Sequence, residues 1–298
     1  MRAITVSDRE APNLALTDLP RPHAAENDVI VEVHAAGFTR GELEWPGTWT
    51  DRAGRDRTPS VPGHEVSGVV AELGYGTTGL TIGQRVFGLT DWARNGTLAD
   101  YVAVEARNLA PLPADIDHVT AAALPISGLT AWQGLVDHAH LQAGQTVLID
   151  GVGGAVGSVA AQLARELGAH VIGLGRETDR AFATELGVHE FTTLEDLENI
   201  GQVDVVLDVI GGEVRDRSTA LVRAGGTLVT IPDPPTTHPK DGHSVFFVVE
   251  PDRGQLVELA DRVRRGTLKP LVTTVRPLAE AIDAFTARGR TIIQVLDA

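Results

Sequence analysis

From Met1 to about Leu112 the chain alternates apolar and polar positions in short runs broken by Gly and Pro. Val29-Ile30-Val31-Glu32-Val33, Gly68-Val69-Val70-Ala71-Glu72-Leu73 and Gln84-Arg85-Val86-Phe87-Gly88 stand between turn residues, the pattern of an all-β barrel or sandwich. Residues 39–62 lack this pattern. A connection of that length in a compact domain usually lines a site, and this one carries Trp45 and Trp49. Past Asp115 the texture turns helical, with Ala121-Ala122-Ala123, Thr130-Ala131-Trp132, Leu135 and Val136, which places a domain boundary there. Gln145-Thr146-Val147-Leu148-Ile149-Asp150 then reads as a short buried strand, followed by glycines and a helix over 158–167. Further strands are expected at 170–174, 203–209 and 227–231, with helical or mixed segments between them, which predicts a parallel doubly wound sheet. Residues 255–265 form an amphipathic helix with Leu256, Leu259 and Val263 on one face, and 291–296 return to strand.

A length of 298 residues exceeds the usual single core, so two domains, and with them a cleft, are expected. The 43% hydrophobic and 22% charged content is that of a globular chain with an ample core. A formal net charge of −15, without a dense Lys/Arg block, argues against nucleic acid and anionic bilayers as partners. The absence of cysteine removes disulfides, thiolate catalysis and every cysteine-containing zinc site. No apolar run reaches signal-peptide or membrane-span length, so a cytoplasmic location without membrane contact is the expectation.

Glycines at 151, 153, 154 and 157 follow the strand ending at Asp150 and open a helix. In that context they permit a tight turn, close approach of a pyrophosphate and tight helix–sheet packing, while the first helical N–H groups face the phosphates. Gly151, Gly153, Gly154, Ala155 and Val156 are the expected dinucleotide contacts. The next strand ends in Gly175-Arg176, where an acidic residue would hold the ribose 2′-hydroxyl of NAD. A guanidinium follows instead, which predicts NADP(H) as cofactor, held by Gly175 and Arg176 with Arg180 as a second contact. Asp150 is unwelcome beside a pyrophosphate unless its carboxylate accepts bonds from the turn N–H groups, the role expected for it.

Gly63-His64-Glu65-Val66-Ser67-Gly68-Val69-Val70, Gly96-Thr97-Leu98-Ala99-Asp100-Tyr101-Val102, Ala123-Leu124-Pro125 with Gly128-Leu129-Thr130-Ala131, and the glycine turn together resemble the medium-chain dehydrogenase/reductase superfamily, in its zinc-independent quinone oxidoreductase branch. The resemblance runs over essentially the whole chain. It implies an α/β protein in which a GroES-like β-barrel catalytic domain, residues 1–117 and 266–298, encloses a Rossmann NADP-binding domain, residues 118–265. It also implies that Thr130 and the loop Phe246-Phe247-Val248-Val249 lie near the nicotinamide, and that the protein forms a homodimer. The three catalytic zinc positions of the metal-dependent relatives fall on Thr39, His64 and Ala123, a set that cannot hold zinc.

Without a Lewis acid, reduction of a quinone or conjugated enone is the accessible chemistry, because the enolate needs only hydrogen-bond donors and a proton. Thr39, Trp45 and Trp49 are the expected substrate pocket for such a small molecule. Glu42, Glu44 and His64 are the titratable candidates for the proton donor, with water or the cofactor ribose as alternatives. A biosynthetic enoyl reductase is a close variant. A zinc-dependent alcohol dehydrogenase and a non-redox or ligand-binding protein on the same scaffold are the competing readings.

Overall fold

The computed structural model describes residues 1–296. It divides into two compact units, the first made, among these residues, of 1–126, 251–265 and 272–296, the second of 127–250 and 266–271.

The first unit opens with an antiparallel hairpin of β1 (Arg2–Ser7) and β2 (Asn13–Asp18), followed by β3 (Asp28–Gly37), β4 (Glu65–Leu73), β5 (Arg85–Leu89), β6 (Tyr101–Glu105) and β7 (Leu109–Pro111). β3 pairs with both β4 and β6 and is buried along most of both faces, so Val29, Ile30, Val31 and Val33 are all inaccessible. Its register against β4 shifts twice, between Ile30 and Val31 and between Val33 and Ala35. Such bulges bend a strand and help a sheet to curl. The segment 39–62 holds a 3-10 turn at Arg40–Glu44 and the one-turn α1 (Pro46–Trp49). After β7 come α2 (His118–Ala122), capped by the Asp117 carboxylate on the Thr120 N–H, and α3 (Pro125–Trp132), within which the chain enters the second unit.

The second unit is built on β8 (Thr146–Asp150), β9 (His170–Leu174), β10 (Glu190–Thr192), β11 (Val203–Asp208), β12 (Val222–Thr230) and β13 (His243–Phe246). They form one parallel sheet in the order β10-β9-β8-β11-β12-β13, which is 3-2-1-4-5-6 by position in the chain and therefore Rossmann topology. The helices between them are α4 (Ala155–Glu166), α5 (Arg180–Glu185) and α6 (Gly212–Thr219). The runs Val147-Leu148-Ile149 and Val205-Val206-Leu207 are continuously buried, as strands covered on both faces must be.

The chain then returns to the first unit through α7 (Arg253–Arg264), β14 (Thr274–Pro277), α8 (Ala281–Ala284) and β15 (Thr291–Gln294). β15 lies antiparallel to β3, completing the sheet order β14-β15-β3-β4-β5-β7 with β6 on the other side of β3. The unit limits differ from the sequence expectation in three places. Residues 118–126 belong with the first unit because α2 packs on β3 and β4. Residues 251–265 belong there as well, because α7 packs on β7, Arg253 donates to the Ala106 carbonyl and Arg264 pairs with Asp115 at 3.0 Å. Residues 266–271 go with the second unit, where the Gln162 side chain brackets Lys269 by accepting from its N–H at 2.9 Å and donating to its carbonyl at 3.0 Å.

Candidate functional site

In the second unit, β8 runs into the turn Gly151-Val152-Gly153-Gly154 and then α4. Gly151 has φ +81°, in the left-handed region that glycine adopts without strain. A Cβ on Gly157 would press on the Gly151 carbonyl and lie 2.8 Å from Val152 Cα, so the first turn of α4 approaches the strand as only glycine allows. Gly154 caps α4 without any side-chain hydrogen bond, and Ala155 and Val156 follow it as the first helical residues. The donors at that end are thus not consumed by a capping side chain, and the helix dipole adds positive potential there. The turn fits a diphosphate.

Past β9, Arg176 and Arg180 do not stand free. Arg176 is forked onto Asp179, Nε at 3.2 Å and Nη2 at 3.3 Å, and the same carboxylate accepts from the Arg176 N–H at 3.0 Å. Arg180 pairs with Glu177 at 2.6 Å and lies over the Phe191 ring at 4.6 Å. Both guanidiniums are solvent-exposed, with 76% and 47% of their side chains accessible, so these ion pairs are weak and exchangeable. Gly175 sits beneath them, in contact range of Phe191 and Asp179.

Asp150 departs from its expected role. It is fully buried and accepts from Ser218 Oγ on α6 at 2.9 Å, not from the turn, while its Oδ2 has no partner. Burial, reinforced by the neighbouring Asp208 with which it is in register, raises its pKa well above the usual carboxyl range. Asp208 instead holds the turn that follows β11, accepting from the N–H groups of Ile210 and Gly211 at 3.0 and 2.8 Å and from Thr230 Oγ1 at 2.7 Å. Val209 and Ile210 in turn pack against Gly151, where an added Cβ would meet them at 2.9 and 3.1 Å. Burial that disfavours the charged form of this carboxyl weakens the electrostatic objection to a diphosphate.

Thr130 is buried on α3. Of the 246–248 loop, Phe247 packs against the His138 ring at 4.4 Å, on the π-helical turn Gln133–His138. Gln133 fixes the end of that loop by donating to the Glu250 carbonyl and accepting from its N–H. Phe246 and Val248 are instead 38% and 59% exposed, at the free edge of the sheet.

The first unit gathers its candidate chemistry around His64. The imidazole is 2% exposed, stacks on Trp45 at 6.0 Å and meets Trp92 edge-on at 4.9 Å, and the two tryptophans contact each other at 5.1 Å. Its Nδ1 is 3.1 Å from Thr90 Oγ1. Burial, with the Arg57 charge adding to it, lowers its pKa to about 3, so the ring is neutral. Trp92 has no counterpart in the sequence expectations. A large aromatic in the loop Asp91-Trp92-Ala93-Arg94-Asn95-Gly96 was the available signal.

Glu42 is wholly buried, accepts from the Gly63 N–H at 2.8 Å and the Thr39 N–H at 3.3 Å, and is pushed up to about 8 chiefly by burial. Both its oxygens face backbone, so it braces the residue before His64 and has no open route to a substrate. Glu44 is exposed on the 3-10 turn. Trp49 is 4% exposed, and its Nε1 donates to the Leu43 carbonyl at 2.8 Å, which makes it packing for the loop and no open wall. Thr39 begins the turn braced by Glu42, and Ala123 is a buried methyl. A hydroxyl, a neutral imidazole bonded to Thr90 and a methyl do not fit zinc. Among the described residues no three His, Cys, Asp or Glu side chains come together as a metal site.

A barrel-type first unit, a 3-2-1-4-5-6 parallel sheet and a diphosphate turn at its switch point define a nicotinamide-coenzyme oxidoreductase fold. Comparison with known proteins agrees. Residues 25–114 match the family model "Alcohol dehydrogenase GroES-like domain" and 167–289 match "Zinc-binding dehydrogenase". The chain is 30% identical to the NADPH-dependent alkenal/one oxidoreductase, chloroplastic, of Arabidopsis thaliana, over 91% of its own length and 73% of that relative. It is 26% identical to the quinone oxidoreductase of Pongo abelii, over 95% and 92% of the two chains. A crystal structure of an alcohol dehydrogenase superfamily protein from Novosphingobium aromaticivorans superposes with a TM-score of 0.89 at 29% identity, covering 99% of this chain and 100% of that one. The chain also matches the spectinabilin polyketide synthase system protein NorB of Streptomyces orinoci at 34% identity, over 92% of its own length but 13% of that protein's. This chain belongs to the medium-chain dehydrogenase/reductase superfamily, in its quinone oxidoreductase-like branch. Its relatives are oxidoreductases of small molecules. Among the described residues no helix is long and apolar enough to cross a membrane.

Proposed function

We propose that the protein is an NADPH-dependent reductase of quinones or α,β-unsaturated carbonyl compounds that works without a metal. The observation that carries this is the uncapped, glycine-cradled start of α4, paired in the same chain with a His64 site whose residues cannot hold zinc. NADPH when bound supplies the hydride that adds to the β-carbon of the conjugated system. Gly151, Gly153, Gly154, Ala155 and Val156 hold its diphosphate, and Arg176, with Arg180 beside it, selects the 2′-phosphate.

Trp45 and Trp92 form the apolar wall for a flat conjugated substrate, and His64 lies between them. In this reading the ring hydrogen sits on Nε2, and Nδ1 accepts from the Thr90 hydroxyl 3.1 Å away. A neutral Nε2–H can donate to the substrate oxygen as enolate charge develops, whereas an imidazolium is unavailable at neutral pH. The final proton then comes from water or the coenzyme ribose.

The homodimer is a further part of this reading. Among the described residues β13 ends the sheet unpaired on its outer side, with Phe246 exposed at its end and Val248 exposed just beyond it, a strand that a second copy would cover.

A panel of quinones and enones offered with NADPH tests the function. We expect loss of NADPH absorbance with at least one compound. A protein that binds NADPH yet consumes none across the panel is a non-redox member of the fold.

A further inference from the structure

β9 ends at Leu174, and Gly175 after it brings no acidic side chain, yet a carboxylate occupies that place in space. The chain leaves the strand through Arg176 and the 3-10 turn Glu177–Asp179, and the Asp179 N–H returns to the Arg176 carbonyl at 2.8 Å. This one-turn loop folds Asp179 back over the coenzyme turn. A Cβ on Gly153 would lie 2.8 Å from Asp179 Cγ and 3.1 Å from Oδ2, and one on Gly175 would lie 3.3 Å from Oδ2. The carboxylate therefore rests against both the diphosphate turn and the end of the second strand. It is held there by the Arg176 N–H at 3.0 Å, with only 18% of its side chain accessible. A side chain at Gly153 would have to shift the carboxylate, and one at Gly175 would crowd it.

We propose that Asp179 is a specificity-determining residue of the coenzyme site. It supplies, from five residues past the strand, the acceptor for the ribose 2′-hydroxyl of NADH, and it holds Arg176 away from the 2′-phosphate of NADPH until the two separate. This deepens the coenzyme reading above and rests on it.

The physical logic has two sides. A carboxylate at the end of the second strand accepts from a free 2′-hydroxyl and repels a phosphate placed on the same carbon. A guanidinium forked onto that carboxylate must rotate off it before it can fork onto a phosphate. Arg176 can do so, because its side chain is 76% accessible and its bonds to Asp179 are long for charge-assisted ones, at 3.2 and 3.3 Å. Arg180 cannot replace it without leaving both Glu177 and the Phe191 ring. The site thus carries recognition for both coenzymes, with the preference for NADPH blunted by Asp179.

Dissociation constants for NADPH and NADH, measured by titration calorimetry on the wild type, Asp179→Asn and Arg176→Gln, test this. Asparagine keeps an acceptor for the Arg176 N–H, so the loop retains its bond. We expect wild-type preference for NADPH to be modest. Removing one like charge beside the phosphate should tighten NADPH about tenfold in Asp179→Asn and weaken NADH. Arg176→Gln should lose the NADPH preference while holding NADH within about twofold of wild type. An unchanged NADPH-to-NADH ratio in Asp179→Asn, or equal weakening of both, overturns the role of Asp179 and leaves the coenzyme reading standing. Failure of the wild type to bind either coenzyme overturns both.

Discussion

Replacing Glu42 by glutamine removes a buried ionisable group while keeping its shape. The carboxyl is inaccessible, and its pKa stands at about 8 against an ordinary 4.5, with burial the main cause. The folded protein therefore binds a proton here that the unfolded chain releases between these two values. Stability from this group is full below about pH 4.5 and is lost as pH rises through 8. At about 1.4 kcal/mol per tenfold change in proton affinity, the burden is roughly 1 kcal/mol at pH 5, 3 at pH 7 and 5 at pH 9. Glutamine carries none of it. Its Oε1 still accepts from Gly63, but its NH2 faces the Thr39 N–H that Glu42 accepts at 3.3 Å, a loss of about 1 kcal/mol. The variant should match wild type near pH 5, exceed it by about 2 kcal/mol at pH 7 and by about 4 at pH 9. His64 and His118 are lowered to about 3 and 4 by burial, so they withdraw stability as pH falls below 6.5. They do so in both proteins and drop out of the difference. Urea unfolding followed by tryptophan fluorescence at the three pH values gives the numbers. A difference that does not change with pH would show that Glu42 ionises freely in the folded state and would refute the reasoning.

Two further substitutions probe the frame around the sites. Gly157→Ala puts a methyl against the Gly151 carbonyl and 2.8 Å from Val152 Cα, and should cost about 1–3 kcal/mol of stability and weaken NADPH binding. Gly154→Ala, whose Cβ stays 3.3 Å from the nearest atom, is its milder control in the same calorimetric and unfolding measurements. Arg290→Met strands Glu65, which is fully buried, paired with Arg290 and otherwise held by the Ile126 N–H at 2.9 Å; about 3–5 kcal/mol should be lost. Adding Glu65→Gln should restore most of it, and a double variant no more stable than the single one in urea would count against an uncompensated charge as the cause.

The coenzyme half of the fold was legible because its signals are local. A continuously apolar strand, a glycine turn and a helix follow one another within about twenty residues, and β9 and β11 repeat the buried run. The catalytic half was legible as strands but not as a closed pattern. β14 is four residues long, ends in Pro277 and gains its place only by pairing with β15, so nothing in its own sequence marks it. The amphipathic helix α7 was visible from Leu256 and Leu259, yet an apolar face does not name the surface it docks on. That it packs on β7 was decided by contacts with residues about 150 positions away, including Arg253 with Ala106 and Arg264 with Asp115.

The same distinction sorts the titratable residues. Composition can mark Glu42, Glu44, His64 and Asp150 as chemistry-bearing, but whether a carboxyl or an imidazole can move a proton depends on what holds it. Glu42 has backbone N–H groups on both oxygens, and Asp150 meets Ser218, which lies 68 residues further along the chain. His64 owes its neutrality to Trp45, Trp92 and Thr90 closing around it, and of these three Trp45 alone lies in the 39–62 segment. Glu44 is exposed on the loop. Three buried groups driven toward their uncharged forms suit the proposed reaction, in which charge arises only on the substrate oxygen. An alcohol dehydrogenase would need a fixed cation at His64 to stabilise an alkoxide, whereas an enolate, already delocalised, asks only for a donor such as Nε2–H.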